Sequence, residues 1–249
     1  MDHWKYYGIT HRDHEICNPT SSAKLDELVA RLPLKPGAKV LDVACGKAEL
    51  LMRIAAAFDA RGVGVDLSPW EVPVARTRVA ARGLSGAVEI VEGDGAEFPV
   101  TPGTYDLAMC IGASWVWGGF EPTLEALSSA VGPGGLVAVG EPFHAQVPTA
   151  EYLAAEPELA PTLVSHADNV RCARDTGLDL LYALVSSPDD WDRYEHLQTR
   201  AAELYAVEHP DDPDLASLLA QRRREDDVFL NWGRDLLNWA IYLFRVADR

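Results

Sequence analysis

Short apolar runs alternate with longer amphipathic stretches along residues 37–141. Runs that are almost continuously apolar predict buried strands, whereas stretches with apolar residues every three or four positions predict helices. The pattern predicts strands at 39–44, 62–66, 87–92, 105–111, 136–140, 178–186 and 239–246. It predicts helices at 20–32, 47–59 and 69–82, and a further helix that includes 124–131. Residues 1–19 follow neither period and are expected to be irregular, and Pro73 is expected to disturb the third helix.

Strands that alternate with helices and are apolar on both faces are typical of a parallel sheet covered on both sides. The sequence therefore predicts an α/β fold with a doubly wound, seven-stranded, mostly parallel sheet. Residues 188–238, between the last two strands, are polar, charged and too many for an ordinary loop. They predict a helical insertion before the last strand.

The charge of the chain restricts its partners. It carries 38 acidic and 22 basic residues, a formal net charge of −16. Nucleic acids and anionic membranes attract basic surfaces, so neither is predicted as a partner. No apolar stretch reaches the roughly 20 residues that span a bilayer, and residues 1–7 lack the pattern of a secretory signal. We expect a cytoplasmic monomer or homodimer.

The cysteines give no sign of a metal centre. Cys17, Cys45, Cys110 and Cys172 are far apart and form no C-x-x-C pair. This spacing favours reduced thiols over disulfides or a zinc site, and no metal is predicted.

A candidate ligand site follows the first two strands. The first strand leads into residues 42–49, Asp-Val-Ala-Cys-Gly-Lys-Ala-Glu, where a tight turn into a helix would present backbone N–H groups to a ligand. The second strand ends at Asp66, 20 residues after Gly46. An acidic residue at that distance can accept hydrogen bonds from two ribose hydroxyls. The turn and Asp66 together predict a nucleoside site.

Two further strand ends narrow the choice of ligand. The third strand ends in Glu-Gly-Asp-Gly-Ala at 92–96, and the fourth runs through 106–115 into Ile-Gly-Ala-Ser-Trp. In order and spacing this set resembles the class I S-adenosylmethionine-dependent methyltransferases, which have a Rossmann-like fold. The resemblance implies an enzyme that transfers a methyl group from S-adenosylmethionine to an O, N or S atom of a small molecule, by in-line displacement.

The resemblance also implies how the cofactor is held. The turn at 44–48 would hold its amino-acid end, Asp66 its ribose, and Asp94 with the Gly95 backbone its adenine, while the backbone at 110–112 would close the opposite side. The implied cofactor-contacting residues are Asp42, Ala44, Cys45, Gly46, Asp66, Leu67, Asp94, Gly95, Ala96, Cys110, Ile111 and Gly112. The sequence departs from the family at Ala44 and Ala48, which stand where glycines are usual.

A narrower resemblance, to a group of bacterial small-molecule methyltransferases, covers almost the whole chain. It includes His-Glu-Ile-Cys-Asn-Pro at 14–19 and Trp-Asp-Arg-Tyr-Glu at 191–195. Together with the strand pattern, it implies a single domain over residues 1–249. The expected parts are an N-terminal flap and helix (1–36), a cofactor-binding core (37–186), a helical lid insertion (187–238) and the last strand (239–249).

The acceptor site is expected beyond the carboxyl ends of the strands, where open α/β sheets bind ligands. For a general base the candidates are Glu141, with a structural or cofactor hydrogen bond as its alternative role, His14, with simple solvation as its alternative, and His144. For contact with the acceptor the candidates are Ser114, Trp115, Tyr194 and Tyr7.

Other functions fit the sequence less well. A nicotinamide-dependent oxidoreductase would need the full G-x-G-x-x-G turn, which is absent. A nucleic-acid or protein methyltransferase would show a basic surface or an Asn-Pro-Pro-Tyr-type motif, where Cys-Ile-Gly-Ala stands at 110–113. A non-catalytic protein that binds S-adenosylmethionine stays open as an alternative.

Overall fold

The computed structural model describes residues 1–247. Seven strands form one sheet. They are β1 (Lys39–Val43), β2 (Arg61–Asp66), β3 (Val88–Glu92), β4 (Leu107–Ile111), β5 (Leu136–His144), β6 (Leu178–Val185) and β7 (Leu237–Val246). Their order is β3-β2-β1-β4-β5-β7-β6. All pairs are parallel except those of β7, which runs antiparallel to β5 and β6. The predicted seven-stranded, mostly parallel α/β fold is confirmed.

Helices precede the sheet, connect its strands and form the insertion before the last strand. They are α1 (His3–Thr10), α2 (Ser22–Arg31), α3 (Glu49–Phe58), α4 (Glu71–Ala81), α5 (Phe120–Val131), α6 (Ala150–Ala155), α7 (His166–Asp175), α8 (Pro188–Glu208), α9 (Leu215–Val228) and α10 (Arg234–Leu236). Short 3-10 turns lie at Ser114–Trp117 and Ala160–Thr162, and a π-helical turn at Phe229–Gly233. No helix within residues 1–247 is long and apolar enough to cross a membrane.

Each face of the sheet has its own apolar core, which is why the central strands are almost continuously apolar. On one face Val40 of β1 packs with Leu51 and Ile54 of α3, all at most 1% exposed. On the other face Leu41 packs with Leu124 of α5, again at most 1% exposed. Successive strand residues point to opposite faces, so neighbours in β1 belong to different cores and the sheet is covered on both sides.

Three predictions of local structure were wrong. Residues 3–10 form helix α1, which the Asp2 side chain caps by accepting a hydrogen bond from the Lys5 N–H at 2.9 Å. Pro73 is the third residue of α4, within the first turn, where its missing N–H removes no interior hydrogen bond. Strand β5 does not end at Gly140 but continues to His144, because β7 begins at Leu237 and pairs with this extension.

The insertion packs against the N-terminal helix. The Lys5 ammonium of α1 lies 2.8 Å from carboxylate oxygens of both Asp212 and Asp214, in the connection between α8 and α9. Just beyond α1, Arg12 pairs with Glu208 at 2.6 Å. These contacts join α1, α8 and α9 into one layer at the carboxyl end of the sheet.

Candidate functional site

The turn between β1 and α3 has an unusual backbone. Ala44, Gly46 and Ala48 all have positive φ angles, of 57°, 51° and 57°. The left-handed conformation costs an alanine about 1 kcal/mol relative to glycine. The two alanines therefore keep the shape that glycines usually give this turn.

Asp66, at the end of β2, holds this turn in place. Its Oδ2 accepts a hydrogen bond from the Gly46 N–H at 2.7 Å, and its Oδ1 accepts one from the Ser68 N–H at 2.8 Å. A carboxylate has about four lone-pair sites, so each oxygen can accept a further hydrogen bond from a ligand.

A cavity of about 730 Å³ opens beside the turn, at the carboxyl ends of β1, β2 and β4. This volume is typical of a small-molecule site. Of the predicted cofactor-contacting residues, those that line it are Asp42, Ala44, Cys45, Gly46, Asp66, Leu67, Asp94, Gly95, Ile111 and Gly112. Ala96 lies off the wall, and so does Cys110, whose side chain is wholly buried.

Carboxylates dominate the charge of the cavity wall. The acidic residues that line it are Glu15, Asp42, Glu49, Asp66, Glu71 and Asp94. Glu49 is neutralised from outside the cavity by Arg53 and Arg82, at 2.7 and 2.8 Å, and also contacts Arg78. Among the described residues, Lys47 is the one lysine or arginine in the wall.

Within residues 1–247, Asp42 and Glu71 are the two carboxylates of the wall that accept no hydrogen bond. Burial, and then the charge of Asp66, raise the pKa of Asp42 well above its usual value, and no hydrogen bond opposes them. Glu71 is 2% exposed, and its Oε2 has no hydrogen-bond partner within residues 1–247. Burial raises the pKa of Glu71 to about 7, because it outweighs the attraction of the Lys47 ammonium 3.9 Å away.

The ammonium of Lys47 is itself buried, with 6% of the residue exposed. Its Nζ donates hydrogen bonds to the backbone carbonyls of His11 and His14, both at 2.7 Å. Lys47 follows Gly46 in the turn, so this side chain joins the turn directly to the N-terminal segment, residues 3–18.

The N-terminal segment forms one wall of the cavity through Trp4, Tyr7, Ile16, Cys17 and Asn18. Asn18 Oδ1 is a second buried acceptor without a partner in the described chain. Among these residues, Tyr7 is the one that the sequence predicted as a contact of the acceptor. Trp4 was missed, although its spacing of three from Tyr7 places both on one helical face. Lys47 and Glu71 were also missed, and their closeness to Gly46 and Asp66 was the available signal.

The predicted catalytic residues lie off the cavity wall. Glu141 and His144 stand inside β5, paired with Ala240 and Leu237, instead of beyond the strand end. The Ser114 hydroxyl donates a hydrogen bond to Glu141 at 3.0 Å, and burial raises the pKa of Glu141 to about 7. The His144 Nε2 lies 2.8 Å from the Ala160 carbonyl oxygen.

His14 and Tyr194 belong to a buried contact between the N-terminal segment and α8. The His14 Nε2 lies 2.9 Å from the Tyr194 carbonyl oxygen, and the His11 Nε2 lies 2.9 Å from the Tyr194 hydroxyl. Burial lowers the pKa of both histidines. Of the four predicted acceptor contacts, Tyr7 and Trp115 line the cavity, whereas Ser114 and Tyr194 do not. Trp115 is 63% exposed at its rim.

Known proteins resemble this chain in sequence and in structure. A family model described as a methyltransferase domain matches residues 40–135. Trans-aconitate 2-methyltransferase of Paracidovorax citrulli is 32% identical over 185 residues, which cover 71% of this chain and 68% of that protein. The S-adenosylmethionine-dependent methyltransferase from Thiobacillus denitrificans, solved with S-adenosyl-L-homocysteine, has a TM-score of 0.90 and 31% identity over 98% of this chain and 99% of its own. The S-adenosylmethionine-dependent methyltransferase from Geobacter sulfurreducens, also solved with S-adenosyl-L-homocysteine, has a TM-score of 0.90 and 28% identity. The match covers 96% of this chain and 97% of that protein.

The chain belongs to the S-adenosylmethionine-dependent methyltransferases. The family resemblance, the enzyme class and the cofactor predicted from the sequence are confirmed. The residues of the cavity fit this cofactor. The partnerless Asp42 carboxylate suits an ammonium group, and Asp66 has lone pairs free for two hydroxyls. Which residues bind the cofactor and the acceptor stays a prediction.

Proposed function

We propose that the methyltransferase methylates an O, N or S atom of a small molecule that is uncharged or cationic. The observation that carries this proposal is the charge of the cavity wall. Lys47 is its one lysine or arginine among the described residues, and the Lys47 ammonium already donates to two carbonyls and faces Glu71. An anionic acceptor would therefore meet carboxylates without a free lysine or arginine among the described residues of the wall to pair with.

In this proposal the turn and the strand ends hold the cofactor. Asp42 would bind its ammonium, Asp66 its ribose hydroxyls, and Asp94 and Gly95 would lie beside its adenine. When bound, S-adenosylmethionine supplies an electrophilic methyl group on a positively charged sulfur. The protein then has to align the acceptor atom with that methyl group and exclude water, which requires a second wall.

Residues of the N-terminal segment and of the loop after β4 would form that second wall. Tyr7, Cys17 and Trp115 line the cavity together with the turn. Aromatic faces attract cations, so Trp115 would stabilise a sulfonium or an ammonium group at the rim.

For a proton acceptor we favour Glu71 over Glu141, the first candidate from the sequence. Glu71 lines the cavity and has an oxygen without a partner, whereas Glu141 lies off the wall and accepts a hydrogen bond from Ser114. A pKa of about 7 leaves the Glu71 carboxylate partly ionised near neutral pH, so it can take a proton from the acceptor as well as bind one.

The test is a turnover assay that follows formation of S-adenosylhomocysteine from S-adenosylmethionine. The acceptor panel contains primary and secondary amines, phenols, thiols and trans-aconitate, the tricarboxylate named in the relative from Paracidovorax citrulli. We expect methylation of at least one uncharged or cationic compound and none of trans-aconitate. Methylation of trans-aconitate at a rate above that of every amine, phenol and thiol would overturn the proposed acceptor class.

A further inference from the structure

Lys47 links two parts of the site that are far apart in sequence. Its backbone belongs to the turn beside Asp66, and its ammonium is held by carbonyls of residues 11 and 14. Residues 3–18, called here the N-terminal segment, supply much of the opposite wall of the cavity, including Tyr7 and Cys17. A displacement of the turn would therefore move the anchor of that wall.

Among the described anchors of the N-terminal segment, Lys47 is the one whose own backbone lies between Ala44 and Ala48. Lys5 pairs with Asp212 and Asp214, Tyr6 contacts Glu225, and Arg12 pairs with Glu208, all of which attach the segment to the insertion. Arg78 of α4 donates to the Glu15 carbonyl at 2.9 Å, and Arg78 and Arg82 both link the Glu15 carboxylate to that of Glu49, the first residue of α3. None of the described residues that line the cavity comes from 187–238. The insertion thus supports the N-terminal segment from behind instead of covering the cavity itself.

The contacts of Lys47 are costly to lose. A buried ammonium needs hydrogen-bond partners for its three donors. Here the carbonyls of His11 and His14 accept at 2.7 Å and that of Arg12 at 3.4 Å, and Glu71 supplies a negative charge at 3.9 Å. Removal of the ammonium would leave the His14 carbonyl without its donor, the His11 carbonyl with the His14 N–H alone, and Glu71 without its nearest cation, which favours separation of the segment from the turn.

We propose that Lys47 is a positioning residue that couples cofactor binding at the turn to docking of the N-terminal segment over the cavity. This inference rests on the placement of the cofactor at the turn under the proposed function. Coupling of this kind is reciprocal. The cofactor stabilises the docked segment, and the docked segment raises cofactor affinity by the same factor.

The test measures hydrogen–deuterium exchange of backbone amides, with and without S-adenosylhomocysteine, in the wild type and in Lys47→Met. In the wild type, the ligand should slow exchange both in the turn at 44–49 and in residues 3–18. In Lys47→Met it should still slow exchange in the turn but not in residues 3–18, and its Kd should rise about tenfold, a typical coupling factor. Lys47→Gln, which keeps an N–H donor for one carbonyl, should fall between the two, and it replaces Lys47→Met if that variant does not fold.

The matched control is Lys5→Met, which removes an ammonium that holds the same segment to the insertion. It should raise exchange in α1 equally with and without the ligand and leave the coupling intact. Equal ligand-induced protection of residues 3–18 in the wild type and in both Lys47 variants would overturn the role of Lys47. If S-adenosylhomocysteine binds the wild type without slowing exchange at 44–49, the placement of the cofactor is wrong instead.

Discussion

The most direct test of the site's electrostatics is Glu71→Gln. In the folded protein, burial raises the pKa of Glu71 from 4.5 to about 7, so folding favours its protonated form. The stability that Glu71 contributes is fully present at pH values below its pKa in the unfolded chain. It is lost as the pH rises towards its pKa of about 7 in the folded protein. A pKa shift of this size lowers the free energy of unfolding by about 3 kcal/mol at pH 8, but by less than about 1 kcal/mol at pH 5. Glutamine has nearly the same shape and carries no charge, so the variant escapes this loss.

Urea unfolding at pH 5 and at pH 8 measures the effect. The free energy of unfolding of Glu71→Gln should exceed that of the wild type at pH 8, and the difference should be about 2–3 kcal/mol larger there than at pH 5. Glu92→Gln, on β3 with a half-exposed carboxylate 3.8 Å from Arg76, controls for loss of a glutamate as such and should leave the free energy unchanged. If the free energies of unfolding of Glu71→Gln and the wild type differ by the same amount at both pH values, burial does not raise the pKa of Glu71.

Two further substitutions test the turn and the packing of the sheet. Asp66→Ala removes the acceptor of the Gly46 and Ser68 N–H groups, which is also the proposed ribose ligand. Calorimetry should therefore show that S-adenosylhomocysteine binds more weakly by about 2–3 kcal/mol. Unchanged affinity would contradict the assignment of Asp66 to the ribose. Gly140→Ala would place a Cβ 2.6 Å from the Trp239 ring and 2.7 Å from Ile111, so the free energy of unfolding should fall by about 1–3 kcal/mol. Gly86→Ala, which meets nothing within 4 Å, is its control, and equal thermal unfolding of the two variants would refute the steric argument.

The sheet could be predicted from the sequence because its strands are buried on both faces. Such strands give continuous apolar runs that need no knowledge of their neighbours. Helix α1 could not be predicted in the same way. Its buried residues Tyr6 and Ile9 pack against Ala202 and Leu218 of the insertion, about two hundred positions away in the sequence. Nothing within residues 1–19 reveals that partner.

The prediction of Glu141 and His144 as candidate bases depended on where β5 ends. Glu141 and His144 were chosen because the apolar run of β5 stops at Gly140. The strand continues, since pairing with β7 is set by backbone hydrogen bonds and tolerates polar side chains. Glu71 shows the opposite difficulty. It lies in the first turn of α4, where an acidic residue is ordinary because it favours the helix dipole, so its closeness to Asp66 is the one sign in the sequence of its burial against the cavity.

The carboxylates of the cavity also bear on the charge of the acceptor. Glu49 and Glu15 are paired with arginines outside the wall, and Asp66 and Asp94 accept backbone N–H groups. Among the described residues of the wall, Asp42 and Glu71 are the two carboxylates that remain without such partners. S-adenosylmethionine carries a sulfonium, an ammonium and a carboxylate, hence one net positive charge, which would offset Asp42. Glu71 is then left for the acceptor, and its pKa of about 7 favours a group that donates a hydrogen bond or carries a positive charge.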